Sequence, residues 1–102
     1  MKDVRSDLGT VLKTGKVEIG TKKVLSILLM DNPKVVLISA NCPNEIKERV
    51  TYYAKLANVP STVTGESSIE LGSVCGKPFP VSVLAVMDEG DSDILSKFKK
   101  DA

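Results

Sequence analysis

Short apolar runs alternate along the chain with segments in which apolar residues recur every three or four positions. Val35–Ile38 is an unbroken apolar run bounded by helix breakers, and Val81–Val86 is a second run interrupted only by Ser82. Runs of this kind are typical of strands that are covered on both faces of a sheet. Residues 17–19 and 61–63 have the composition of two further short strands, the second of them at a sheet edge.

Helical spacing of apolar residues indicates five helices around these strands. Pro43 suits the first position of the third helix, and Ser67 with Glu70 has the spacing of a capping box for a short fourth helix that ends near Gly72–Gly76. The first, second, third and fifth helices each have a set of apolar anchors. In chain order these are Val4, Leu8, Val11 and Leu12; Val24, Leu25, Ile27, Leu28 and Leu29; Ile46, Val50, Tyr53, Ala54 and Ala57; and Ile94, Leu95 and Phe98.

The resulting order of elements is αβαβαβαβα. Strands that alternate with helices predict an α/β fold, a three-layer α/β/α sandwich around a four-stranded mixed sheet. No repeat, linker or low-complexity segment divides the 102 residues, so we expect one domain spanning residues 1–102. The order of the strands within the sheet is left open at this stage.

The composition excludes several classes of function. The chain has no histidine, which excludes a histidine base, a histidine metal ligand and a Ser-His dyad. Its two cysteines, Cys42 and Cys75, are too few for a structural zinc site or a disulfide framework. The longest apolar run is far shorter than the ~20 residues that cross a bilayer, so we expect no membrane partner.

Charge is distributed unevenly along the chain, although the net charge is only +1. Eight basic and four acidic residues lie between Lys13 and Lys55, whereas seven acidic and four basic residues lie between Glu66 and Asp101. The basic half suggests a surface that binds a polyanion. Ordinary solvated helix faces are the alternative explanation.

The start of the second predicted helix has the features of an anion site. Gly20 permits close approach of a ligand to the backbone, and Lys22 and Lys23 add positive charge where the first amides of a helix are unpaired. Lys16 follows Gly15 a few residues earlier in the same basic stretch. A solvated first helical turn is the alternative.

Two further residues could contact a base. Asn41 follows a central strand, and if Cys42 caps the next helix, the Asn41 amide is free to read a base edge. A helix-capping role for Asn41 is the alternative. Phe79 stands between two prolines in a loop beside Lys77, which suits stacking on an unpaired base, although a role in the core is the usual one for phenylalanine.

Candidate catalytic groups are few. Cys42, at a helix start, could be a thiolate nucleophile, but a small packing residue is the more common role of such a cysteine. Asp88, Glu89, Asp91 and Asp93 lack the glycine and the distal glutamate of a calcium loop, so helix capping and solubility explain them. We therefore expect no catalytic residue, no cofactor and no metal.

Seven motifs stand in a familiar order: Thr14-Gly15-Lys16, Gly20-Thr21-Lys22, Ala40-Asn41-Cys42-Pro43, Tyr52-Tyr53-Ala54, Glu70-Leu71-Gly72, Gly76-Lys77-Pro78-Phe79 and Glu89-Gly90-Asp91-Ser92-Asp93-Ile94-Leu95. Together they closely resemble the archaeal and eukaryotic large-subunit ribosomal protein family thirty-e, whose superfamily binds kink-turn RNA. The resemblance extends from Leu8 to Leu95, and the compact length is similar to that of archaeal members.

The resemblance implies a sandwich whose loops at one end of the sheet grip a sharply bent RNA internal loop. It implies contacts by Gly20 and Lys22, by Asn41 as a base-reading asparagine, and by Phe79. Other members of the superfamily have Asn-Glu where this chain has Lys22-Lys23. A lysine can donate to guanine but cannot accept from an amino group, so base readout must differ there, and the departure favours the ribosomal branch.

We therefore predict a non-enzymatic, cytoplasmic RNA-binding protein of the large ribosomal subunit. Its expected partners are ribosomal RNA with a kink-turn internal loop and other large-subunit proteins, and it should be a monomer when free. The predicted RNA-binding residues are Lys16, Gly20, Lys22, Lys23, Asn41, Lys77, Phe79, Pro80 and Val81. The alternatives are a kink-turn-binding component of another ribonucleoprotein and a small enzyme that uses Cys42.

Overall fold

A computed structural model describes residues 9, 11–13 and 15–88 of the protein. Residues 11–13 are helical. The predicted anchors Val4 and Leu8 of the first helix, and the whole predicted last helix, lie outside the described residues. The elements that follow are β1 (Lys16–Ile19), α1 (Thr21–Met30), β2 (Val35–Ile38), α2 (Asn44–Leu56), β3 (Ser61–Val63), α3 (Ser68–Val74) and β4 (Val83–Asp88).

Local sequence signals account for most of the helix ends. Gly20 precedes α1, and the N–H of Asp31 closes that helix by donating to the carbonyl of Ile27 at 2.6 Å. Before α3, the predicted capping box is confirmed: the Ser67 hydroxyl accepts from the Glu70 N–H at 3.2 Å, and the Glu70 carboxylate accepts from the Ser67 N–H at 2.8 Å. Both bonds satisfy amides that the helix itself cannot pair.

The start of α2 differs from the prediction. Pro43 is the N-cap residue rather than the first helical residue, and no side chain caps the helix. Cys42 is therefore not the capping residue, and its thiol instead contacts the carbonyl oxygen of Pro43 at 3.6 Å. The extended backbone of Pro43, with φ −56° and ψ 141°, is the physical reason, because such a residue ends the preceding loop instead of joining the helix.

The four strands form one mixed sheet in the order β1-β4-β2-β3. Strand β4 is antiparallel to both of its neighbours, and β3 is parallel to β2 at the edge. The two predicted central strands are thus the two inner strands, and the predicted edge strand is an edge strand. Ile19 pairs with Leu84 and Ile38 pairs with Val83, so the ends of β1 and β2 lie beside the beginning of β4.

Apolar layers cover both faces of the sheet. Successive residues of the inner strands alternate between two buried clusters, which confirms the predicted three-layer arrangement. Side chains of β2 and β4 pack with Val11 and Leu71 on one face, and with Val24 and Val50 on the other. Each fully buried aliphatic side chain stabilises such a fold by about 1.5–3 kcal/mol. The apolar face of α1 is narrower than predicted, because Leu29 is 68% exposed.

The direction of the strands places four loops at one end of the sheet. Strands β1, β2 and β3 end there, and β4 begins there. The connecting segments at this end are residue 20 after β1, residues 39–43 after β2, residues 64–67 after β3 and residues 75–82 before β4. Among the described residues, no helix has the length and apolar character to cross a bilayer.

Candidate nucleic-acid interface

An open groove lies at this end of the sheet, between the β1–α1 junction and the loop that leads into β4. One wall is formed by residues 17–21 and Lys23, and the other by Lys77 and residues 79–82. The Gly20 N–H joins the two walls by donating to the carbonyl of Val83 at 3.1 Å. Six of the predicted RNA-binding residues line this groove: Gly20, Lys23, Lys77, Phe79, Pro80 and Val81.

The N-terminus of α1 contributes positive charge to the groove. Gly20 has φ 108°, a conformation that a residue with a Cβ rarely adopts, and open space lies where a Cβ would be. No side chain caps this helix and no acidic residue lies in its first turn. The positive end of the helix dipole therefore adds to the charges of the exposed Lys22 and Lys23.

Phe79 is held at the surface by its loop. Its side chain is 52% exposed, which contradicts the role in the core that we considered as the alternative. The flanking prolines are exposed as well, and Lys77 lies on the same rim. Phe79 also borders a second depression, which contains Ile69. An exposed aromatic ring beside a cation can stack on an unpaired base.

The side chain of Asn41 is exposed, but it is not free as expected. Its Oδ1 accepts a hydrogen bond from the Ser68 N–H at 2.8 Å, at the first residue of α3. Its Nδ2 group makes no hydrogen bond to the described residues. The loop that carries Asn41 is fixed by the Ser39 and Ala40 N–H groups, which donate to Ser82 and Glu66 at 2.8 Å each. The Asn41 amino group thus remains available as a donor, while its oxygen is bonded to the protein.

Three predicted contact residues do not line the groove, namely Lys16, Lys22 and Asn41, and a fourth, Val81, lines it but is covered. Lys16 lies opposite Asp88 in the sheet at the far end of β1, about 13 Å from Gly20 at the rise of an extended strand. Lys22 is exposed on α1 but is not a lining residue. Val81 lines the groove although only 1% of its surface is exposed, because its side chain belongs to the core. Its N–H also donates to the carbonyl of Ser68, so Val81 is part of the core and not an exposed contact residue.

Sequence reasoning did not identify several groove residues. Glu18, Thr21 and Ser82 line it, and Glu18 places a half-buried carboxylate in a surface otherwise rich in cations. In the sequence, Glu18 appears only as the polar residue between two apolar ones. Its place in the groove follows from the pairing of β1 with β4, which no local pattern specifies.

The two cysteines are free thiols and partly buried. Burial raises the pKa of the Cys42 thiol, and the nearby positive charge of Lys47 offsets this only in part. Burial likewise raises the pKa of Cys75 against the opposing charge of Lys77. Both groups are therefore mainly protonated at neutral pH, whereas a cysteine nucleophile needs a lowered pKa.

No metal-binding cluster of three or more acidic or thiol groups occurs within the described part of the chain. Of the acidic residues considered above, Glu89, Asp91 and Asp93 lie outside that part. Asp88 is the last residue of β4 and is exposed.

Comparison with known proteins adds independent information. Residues 2–96 match the Ribosomal protein L7Ae/L30e/S12e/Gadd45 family. Proteins named "Large ribosomal subunit protein eL30" are similar to this chain in Methanopyrus kandleri (39% identity, covering 98% of this chain and 92% of the relative), in Methanocaldococcus jannaschii (43%, covering 96% and 89%) and in Methanobrevibacter smithii (42%, covering 97% and 100%).

A solved structure of a Bacillus halodurans protein, described as having unknown function, has a TM-score of 0.80 over 95% of this chain and 96% of that chain. Its sequence identity is 22%, so it supports the fold alone. The match over residues 2–96 and the full-length similarity to the archaeal relatives confirm the predicted family. This chain belongs to the ribosomal protein L7Ae/L30e/S12e/Gadd45 family.

Proposed function

We propose that this ribosomal protein is a constituent of the large ribosomal subunit, in the cytoplasm, that binds and stabilises a kink-turn-type internal loop of ribosomal RNA. The family and the names of its archaeal relatives support the ribosomal part of the proposal. The observation that carries the RNA part is the groove, in which an exposed aromatic ring, two lysines and a helix N-terminus meet at one end of the sheet.

Positive charge in the groove suits RNA that is sharply bent. A bend brings phosphates close together, and their mutual repulsion opens the RNA unless cations neutralise it. Lys23 and Lys77 lie on opposite walls of the groove, so they can approach phosphates of two different strands. The uncapped start of α1 adds main-chain donors of the kind that bind phosphate.

Asn41 and Phe79 supply the contacts by which the protein would recognise the shape of bent RNA. The outward Nδ2 of Asn41 can donate to a base acceptor such as guanine O6. The half-exposed ring of Phe79 can stack on a nucleotide that the bend has displaced from the helix. Because these contacts form only with bent RNA, binding shifts the RNA population toward the bent form.

The alternative of a cysteine-dependent enzyme has little support. The pKa of Cys42 is raised rather than lowered, and Cys42 is not at the capping position of α2 that would stabilise a thiolate. We infer that both cysteines are packing residues and that the protein acts by binding.

The proposal is tested by titration with three RNAs of equal length and composition: one with a kink-turn internal loop, one fully paired and one single-stranded. The kinked RNA should bind at least about a hundredfold more tightly than the other two, because only it offers crowded phosphates and an unstacked base together.

Phe79→Ala should reduce this preference, since base stacking on an aromatic ring contributes about 1–3 kcal/mol.

Equal affinity for the three RNAs would contradict kink-turn recognition. A second measurement separates the ribosomal role from a role in another ribonucleoprotein. The protein should remain with the large subunit when ribosomes are washed in salt, whereas release together with a smaller particle would favour the other role.

Asn41→Ala should weaken binding of the kinked RNA by about 1–3 kcal/mol, through loss of a base contact. It should also lower the free energy of unfolding by about 0.5–1.5 kcal/mol, because the Ser68 N–H loses its acceptor. Asn41→Asp is the matched variant: it keeps the acceptor but not the donor, and it adds a negative charge. In denaturant unfolding, Asn41→Asp should have a free energy of unfolding close to that of wild type. Its binding of the kinked RNA should be lost. Equal unfolding free energies for the Ala variant and wild type would contradict the structural role.

Lys23→Ala should flatten the plot of log affinity against log salt concentration by about one unit, since one phosphate contact is lost. Lys34→Ala is the matched control. Lys34 is also exposed, but it precedes β2 at the opposite end of the sheet, where its N–H donates to the carbonyl of Val86 at 2.7 Å. The control should leave the slope unchanged. If the two variants change the slope equally, the groove is not the phosphate-binding surface.

Alkylation of Cys42 tests the enzyme alternative. Because burial raises the pKa of Cys42, its thiolate fraction at pH 7 should be below that of a cysteine in an unfolded peptide. The rate of reaction with iodoacetamide, followed by mass spectrometry of the Cys42 peptide, should be slow at pH 7 and should still be rising at about pH 9. A fast reaction that reaches its plateau below about pH 7 would support an activated nucleophile instead.

A further inference from the structure

Helix α3 lies directly against the loop that carries Phe79. Gly72, in the second half of this helix, is buried. A Cβ atom at Gly72 would overlap the carbonyl oxygen of Phe79, and it would lie 3.2 Å from the carbonyl carbon of Phe79 and 3.5 Å from the Cα of Pro80. Because all of these neighbours are main-chain atoms, no change of side-chain rotamer could make room for it.

The backbone conformation of Gly72 does not explain why this residue is a glycine. Gly72 does not have a positive φ, unlike Gly20 and Gly76, so its backbone is open to any residue. Glycine in a helix interior is less favourable than alanine. Space is therefore the feature that requires glycine here: it lets the Phe79–Pro80 peptide touch the helix backbone.

Two hydrogen bonds fix the loop to the same helix, one on each side of Phe79. The Lys77 N–H donates to the carbonyl of Gly72 at 2.8 Å, and the Val81 N–H donates to the carbonyl of Ser68 at 2.8 Å. The loop between them, residues 77–81, thus runs along α3 and is attached to it at both ends. Since the Phe79 ring is half exposed, this attachment rather than burial of the ring sets its position.

The same helix also holds Asn41. The Ser68 N–H donates to Asn41 Oδ1, and the Ser68 carbonyl accepts from Val81, so a single residue joins the two RNA-facing groups. Ser68 is buried, and the capping box of Ser67 and Glu70 holds the first turn around it. The backbone of α3 therefore holds both the side chain of Asn41 and the loop that carries the Phe79 ring.

We propose that Gly72 is a positioning residue for RNA binding: the contact between its backbone and the Phe79–Pro80 peptide sets the Phe79 ring at a fixed place relative to Asn41 before RNA arrives. This inference rests on the proposed function. Preorganisation of this kind improves affinity, because the loop loses less conformational freedom on binding.

A double-mutant cycle with the kinked RNA tests the proposal. Gly72→Ala should displace the loop and weaken binding about tenfold, the scale of one lost stacking contact. In the Phe79→Ala background, the same change should cost less than about twofold, because the ring that Gly72 positions is already gone. An equal loss in both backgrounds would overturn the proposal, since general destabilisation affects both alike.

Ser73→Ala is the matched control, because Ser73 is the adjacent residue of α3 and is exposed. It should bind like wild type in both backgrounds. The cycle also separates the two hypotheses: wild-type protein that does not prefer kinked RNA contradicts the proposed function, whereas preference with an additive cycle contradicts only the role of Gly72.

Hydrogen exchange in the RNA-free wild-type protein tests the proposal if Gly72→Ala does not fold. The Lys77 and Val81 N–H groups donate to the carbonyls of Gly72 and Ser68, so both amides should exchange at least about tenfold more slowly than in an unfolded peptide. If both exchange as fast as in an unfolded peptide, the loop is not held against α3 before RNA arrives and the proposal fails.

Discussion

The antiparallel pairing of β4 with both β1 and β2 is the contact on which the groove depends. Because β4 runs against its neighbours, its first residues lie beside the last residues of both strands. The loop that leads into β4 therefore lies across the groove from Gly20, which follows β1, and its Ser82 carbonyl accepts from the N–H of Ser39, which follows β2. Val83 and Leu84 anchor this alignment and are completely buried. The aliphatic core that stabilises the fold thus also determines which polar loops come together.

Asn41 shows how one side chain can serve both the fold and the surface. Its oxygen satisfies the first amide of α3, and its amino group makes no hydrogen bond to the described residues. The division has a physical logic, because a buried N–H at a helix start needs an acceptor, while an exposed amino group can exchange water for RNA at little cost. Under the proposed function, the same residue would both complete the start of α3 and contact a base.

Sequence patterns were most reliable where a local rule applies. The apolar runs at β2 and β4, the helical spacing of α2 and the capping box of α3 all predicted the correct element, since each reflects backbone preference and burial within a few residues. The patterns were wrong where segments distant in the sequence determine whether a side chain is buried. Leu29 fits the apolar face of α1, yet nothing in the described part of the chain covers it. One local expectation also failed, because Pro43, with its own extended backbone, occupies the capping position of α2 that was expected of Cys42.

By itself, the sequence determined the kinds of element, their order and the chemistry available: no histidine, a basic first half, and glycine and lysine at the start of α1. Only the tertiary structure decided the strand order, the distance of Lys16 from the groove, and the bond between Asn41 and Ser68, which are 27 residues apart. The reason is physical. Periodicity and capping act over one or two turns of chain, whereas a bond between distant loops exists only after the sheet has brought their ends together.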